Sequence, residues 1–121
     1  MDQVIREVMP KNMAKIRIDV EEFITLFNEK KIEVIDIRIP KETAIWQMNF
    51  GLKIPAHELP DHLDTLPRDK ELIIVCPYTD RSNMARFYLA SKGFKVRYLY
   101  PGLMALMDRL KGGLSNDLIL S

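Results

Sequence analysis

The alternation of apolar and polar positions predicts strands and helices in turn along most of the chain. Residues 16–18 form a brief β-like run, followed by Asp19, with Glu22 three residues on as a capping-box-like helix start. Val20, Phe23, Ile24 and Phe27 then recur at i, i+3, i+4 and i+7, which gathers them on one helix face as core. Residues 32–37 have the β-branched content of a strand. Leu72-Ile73-Ile74-Val75 is apolar on both faces, as a central parallel strand requires. After Cys76 comes a loop, then a helix over residues 81–92 with Met84, Ala85, Phe87, Tyr88 and Leu89 as a broad apolar surface and Gly93 as its stop. Residues 95–100 return as an alternating strand with Val96, Tyr98 and Tyr100 on one side. Pro101-Gly102 turns the chain into a last helix, where Leu103, Leu106, Met107 and Leu110 share a face and Gly112-Gly113 ends it.

Strands alternating with helices over short connections predict an α/β domain, its sheet mainly parallel with helices on both faces. The 121 residues suit one domain, 1–121, with 1–13 and 112–121 as peripheral segments. A chain that is 47% hydrophobic and 29% charged is neither disordered nor fibrous. Eighteen basic against seventeen acidic residues leave a net charge of +1, so no general field favours nucleic acid or an anionic membrane as partner. The longest strongly apolar stretch, residues 72–76, falls far short of the roughly 20 needed to cross a bilayer. Charge interrupts the first fifteen residues before a signal-peptide core forms, so the expected location is cytoplasmic. The single cysteine, Cys76, excludes an internal disulfide and a multi-cysteine metal site.

In open parallel sheets, function gathers at the carboxyl ends of strands. Cys76 stands at that edge of the most buried strand, at the head of Cys76-Pro77-Tyr78-Thr79-Asp80-Arg81-Ser82. A strand-to-helix loop can turn its backbone N–H groups toward the sulfur, and the helix N-terminus adds partial positive charge. Both favour thiolate over thiol, and Arg81 adds a guanidinium suited to a planar oxyanion. The competing interpretation is a buried, inert cysteine at a strand end.

At these residues the sequence resembles the rhodanese family, and the resemblance covers most of the chain. Cys-x-x-x-x-Arg-Ser after LIIV is similar to the active-site loop of single-domain rhodaneses. Asp36-Ile37-Arg38 resembles the family's Asp-Val-Arg, and Glu42 falls where the family usually has glutamate. Ile54-Pro55 with Glu58-Leu59-Pro60 matches its "IP…ELP" segment, and Leu89 to Val96 its "L…GF.V". The resemblance implies a central five-stranded, mainly parallel sheet and a sulfurtransferase activity. It implies that Cys76 takes a sulfane sulfur from thiosulfate or a protein persulfide and passes it to a nucleophilic acceptor, a protein among them. The persulfide would be held by the loop from Tyr78 through Thr79, Asp80, Arg81 and Ser82, with no metal or organic cofactor.

The chain also departs from the family pattern. Thr79 replaces the usual glycine, which predicts a strained loop residue or a reshaped cradle. Asp80 sets an anion beside the thiolate, opposing the helix and Arg81 and repelling thiosulfate. Trp46-Gln47-Met48-Asn49-Phe50-Gly51 replaces the family's Gly-His-Ile-Pro-Gly-Ala stretch. Two other classes stand beside the transferase. One is a non-catalytic rhodanese-like module that binds a partner or responds to oxidation. The other is a dual-specificity phosphatase of related architecture, whose loop has one residue more between Cys and Arg and so fits tetrahedral phosphate.

Asp36 and Arg38, at another strand's carboxyl end, are expected to pair with Arg81 and Glu42 respectively, either fixing the loop or meeting substrate. Trp46, Met48 and Phe50 are expected in the core, with an apolar docking rim as the alternative. His57 and His62 are spaced i, i+5 around Pro60, which does not fit the zinc-protease motif, and are assigned to solvent beyond a turn.

Overall fold

The computed structural model describes residues 1–120. Five strands form one sheet: β1 (Arg17–Ile18), β2 (Ile32–Asp36), β3 (Leu52–Lys53), β4 (Glu71–Val75) and β5 (Val96–Leu99). Their order is β1-β5-β4-β2-β3 and every pairing is parallel. The helices α1 (Asp2–Arg6) and α2 (Met13–Ile16) precede β1, the connections carry α3 (Val20–Asn28), α4 (Pro40–Ile45) and α5 (Asp80–Ser91), and α6 (Leu103–Arg109) follows β5. The five-stranded parallel α/β expectation therefore stands.

The period of two along β4 divides the core. Leu72, Ile74 and Cys76 point to one face, with Ala85 and Leu89 of α5 over them. Ile73 and Val75 point to the other, beneath Phe23 and Ile24 of α3 and Leu103 and Leu106 of α6. A strand covered twice needs no polar face, and Leu72 to Val75 are all fully buried. Parity alone thus sends the Cys76 side chain to the α5 side.

The helix signals hold in detail. Asp19 caps α3 by accepting from the Glu22 amide at 2.8 Å. Gly93 (φ 89) closes α5 in a Schellman turn, its amide on Ala90 O and that of Phe94 on Leu89 O. Four local expectations are corrected. Of residues 16–18 only Arg17 and Ile18 are strand, since α2 runs through Ile16. β5 buries Leu99 on the face opposite Val96 and Tyr98, because α3 and α6 cover that face too. Met84 is 75% exposed, lying nearly opposite the arc of Ser82, Ala85 and Leu89 that meets the sheet. Gly112-Gly113 does not end the last helix, which stops at Arg109; left-handed Gly112 (φ 59) starts a 3-10 helix, Gly112–Asp117.

Candidate functional site

Cys76 directly follows the last residue of β4, and α5 begins four residues on. The loop between them is tied down by its carbonyls. Cys76 O accepts from Leu103 N at 2.8 Å and Pro77 O from Met104 N at 3.2 Å, so the loop caps the N-terminus of α6. Gly102 (φ 124) passes beneath it. A Cβ at Gly102 would lie 2.6 Å from both the Pro77 and Tyr78 carbonyl oxygens, closer than any real contact, so only glycine fits. The sequence marked Pro101-Gly102 as a turn and missed this packing role.

Inside the loop one feature differs from expectation. The thiol donates to Tyr78 O at 3.0 Å, and no amide of residues 77–82 bonds the sulfur. The sulfur does turn toward the loop, yet at 2% exposure it lies under it. A neutral thiol is a donor and takes a carbonyl, whereas an anionic sulfur needs N–H groups. The amides themselves are free. Thr79, at the N-cap of α5, makes no side-chain cap, and those of Asp80, Arg81 and Ser82 have no intrahelical acceptor. Thr79 (φ −125, ψ −19) avoids the left-handed region, so the loop is reshaped rather than strained there. Ser82 is fully buried, its Oγ donating to Thr79 O at 3.1 Å, while Tyr78 is 70% exposed and Asp80 is exposed.

The charged residues pair otherwise than expected. Arg81 makes a bidentate pair with Glu42, Nη1 to Oε1 at 2.7 Å and Nη2 to Oε2 at 2.9 Å. Asp36 and Arg38 pair with each other, both buried, through Nη2 to Oδ2 at 2.7 Å and Nε to Oδ1 at 3.0 Å. The reason is reach: two residues apart at a strand end, Arg38 folds back on Asp36, and its guanidinium then stacks 4.0 Å over Trp46. Glu42, left to Arg81, is also fixed by the Ile39 amide at 3.1 Å. The guanidinium of Arg81 holds the Glu42 carboxyl down at about 2, with the Ile39 bond and Arg38 acting the same way and burial opposing. Glu42 in turn raises Arg81, with smaller contributions from Cys76 and Asp36.

Around this edge, Met48 is buried and Phe50 packs edge-on against Phe27 at 4.9 Å, so this segment is core. Residues 56–62 form a 3-10 helix, with His57 exposed beside Glu58. An apolar groove of ≈ 390 Å³ runs from Arg81 past Met84 and Tyr88 to Leu59 and Pro60. No described helix is long and apolar enough to cross a membrane.

A parallel sheet with a cysteine on its central strand's carboxyl end, five residues before an arginine in the first turn of the next helix, defines a class of cysteine-loop α/β domains. No protein-family model matches the chain. A sulfurtransferase of Allochromatium vinosum is 31% identical over 81 residues, 66% of this chain and 76% of the relative. A thiosulfate sulfurtransferase of Pseudomonas aeruginosa is 24% identical over 102 residues, 84% of this chain and 83% of the relative. The solved structure of a rhodanese-like domain protein from Staphylococcus aureus superposes with a TM-score of 0.69 at 26% identity, covering 75% of this chain and 90% of the other. The chain belongs to the rhodanese-like sulfurtransferase family.

Proposed function

We propose that this protein moves a sulfane sulfur through a Cys76 persulfide, from thiosulfate or a protein persulfide to a nucleophilic acceptor. The observation that carries this reading is the position of Cys76 at the carboxyl end of β4, beside the first turn of α5, whose amides have no cap.

With thiosulfate, the Cys76 sulfur anion attacks the outer sulfur, the donor S–S bond breaks, and sulfite leaves with the bonding pair. The new Cys76–S–S⁻ group then meets an acceptor thiolate or cyanide, which takes the terminal sulfur and returns Cys76 as thiolate. Neither step needs an outside oxidant or metal. The terminal sulfur extends about 2 Å beyond Sγ. It needs donors there, and the free amides of residues 80–82 are the available ones. Arg81, clamped by Glu42, positions the first turn rather than holding substrate directly. Asp36 and Arg38 support the neighbouring strand end and are not substrate ligands in this reading. Asp80 disfavours an anionic donor, and the exposed Tyr78 of the loop and Met84 of the groove suit a protein donor or acceptor.

The test is intact-mass analysis of the wild type and Cys76→Ser after exposure to thiosulfate and, separately, to a persulfide donor. A gain of about 32 Da, one sulfur, is expected in the wild type alone. Transfer activity retained in folded Cys76→Ser overturns the assignment. The buried thiol on Tyr78 O favours a second reading, a non-catalytic or redox-responsive module, and loading of the folded wild type by neither donor selects it.

A further inference from the structure

Arg86 is the anomaly of α5. It shares the buried arc of Ser82, Ala85 and Leu89, is 4% exposed, and its Nε lies buried with no acceptor. Tyr98 and Glu7 act on it only through space, and burial pushes the guanidinium below its usual range. A buried arginine ordinarily meets a carboxylate or carbonyls, because its charge is costly to leave unpaired. Arg86 instead lines a cavity of ≈ 690 Å³ between α1, α5 and the starts of β4 and β5. The charged side chains of that wall are Lys15, Arg86, Lys95 and Arg97 against Glu7 and Glu71. Arg97 and Glu71 neutralise each other at 2.8 and 2.9 Å. Glu7 accepts from Gln3 at 3.3 Å. The balance left is positive, centred on a forked donor that nothing in the chain uses.

We propose that this cavity binds a small, multiply charged oxyanion of the phosphate or sulfate class. Arg86 supplies the fork, with Lys15 and Lys95 as flanking point charges. The guanidinium offers two parallel N–H groups that match two oxygens of a tetrahedral anion. The excess of cations over carboxylates selects a dianion over a single carboxylate. The site lies at the amino end of β4, with the whole strand between it and Cys76, so it stands independently of the sulfur chemistry.

The experiment titrates inorganic phosphate, and separately sulfate, into the full chain against chloride at equal ionic strength. Amide resonances and the thermal midpoint are followed. Saturable shifts are expected at Ala90, Ser91 and Lys95 and at the Arg86 Nε, with a midpoint rise of roughly 5–6 °C at ten times the Kd. Arg86→Gln should lose the local shifts and the saturable rise, while general salt stabilisation persists in it. Shifts confined to residues 77–82, no saturable shift with either anion, or undiminished binding in Arg86→Gln overturns the proposal. If Arg86→Gln does not fold, the wild-type resonance map alone decides.

Discussion

Tyr78 O governs what the Cys76 sulfur can do. At 3.0 Å it accepts the thiol proton, and once that proton leaves, the same oxygen faces a negative sulfur. In the proposed transfer the reactive form therefore requires the 78–79 peptide to turn, exchanging a carbonyl for an N–H at the sulfur. Thr79 resists that turn, since a β-branched residue avoids the backbone states glycine visits freely. Thr79→Gly is expected to speed sulfur loading roughly tenfold, about 1.4 kcal/mol of barrier, while costing about 0.5–1 kcal/mol of stability. Stopped-time mass analysis reads the first and denaturant unfolding the second; equal loading rates would mean the peptide does not turn. Gly102→Ala should act oppositely, pushing the Pro77 and Tyr78 carbonyls out of place. A loss of about 1–3 kcal/mol and of most transfer activity is expected. At this scale the place of Cys76 at a strand end and the loop after it were legible in the sequence, because cysteine, spacing and strand are all local in the chain. It did not disclose the peptide orientation or the Gly102 contact, which depend on where α6 lies. Nor could spacing say that Arg38 turns back on Asp36 while Arg81 crosses to Glu42, a contact 39 residues apart.

Between elements, the Arg81–Glu42 pair fastens α4 to the first turn of α5, and the buried Asp36–Arg38 pair stiffens the end of β2 beside it. The two differ in energetic weight. Arg81 and Glu42 are 45% and 30% exposed, so solvent screens them and the pair contributes about 1 kcal/mol or less. Because the folded Glu42 carboxyl is lowered to about 2 from 4.5, its contribution is complete above about pH 4.5 and vanishes as pH falls toward 2. Acid titration of stability should show Glu42→Gln losing part of the wild type's slope between those limits, with the curves converging at the acid end. A constant offset across the range would place the effect elsewhere. Asp36→Ala is a harsher change, leaving Arg38 charged at 1% exposure, and should cost about 3–5 kcal/mol by denaturant unfolding. The elements themselves were legible where periodicity was strong, as in β2, β4, α3 and α5. Met84 fell outside the core, while Arg86 entered it, because the wheel of α5 carries more apolar residues than one sheet face covers, and burial follows the contact arc rather than side-chain polarity.

For the molecule as a whole, the parallel sheet sets a gradient of stability. β4 sits at its centre between β5 and β2, and the hydrophobic residues of β4 and β2 are buried between two helical layers. The outer strands β1 and β3 hold only two residues each, short edges that offer little to another sheet. α1 buries none of its residues and lies against α5 over the cavity that Arg86 lines. Opening α1 exposes little apolar surface, so its amides should exchange by local fraying, far below the free energy of global unfolding. Those of Val34, Ile73 and Ile74 should exchange only when the whole domain unfolds. Native-state hydrogen exchange in rising denaturant separates the two, since fraying is nearly independent of denaturant and global unfolding is steeply dependent. Adding phosphate then couples this gradient to the cavity: an anion held by Arg86 beneath α1 should slow exchange in residues 2–7 without altering the relative protection of β4. Protection of residues 2–7 equal to that of β4 in plain buffer would show instead that α1 is an integral part of the cooperative core.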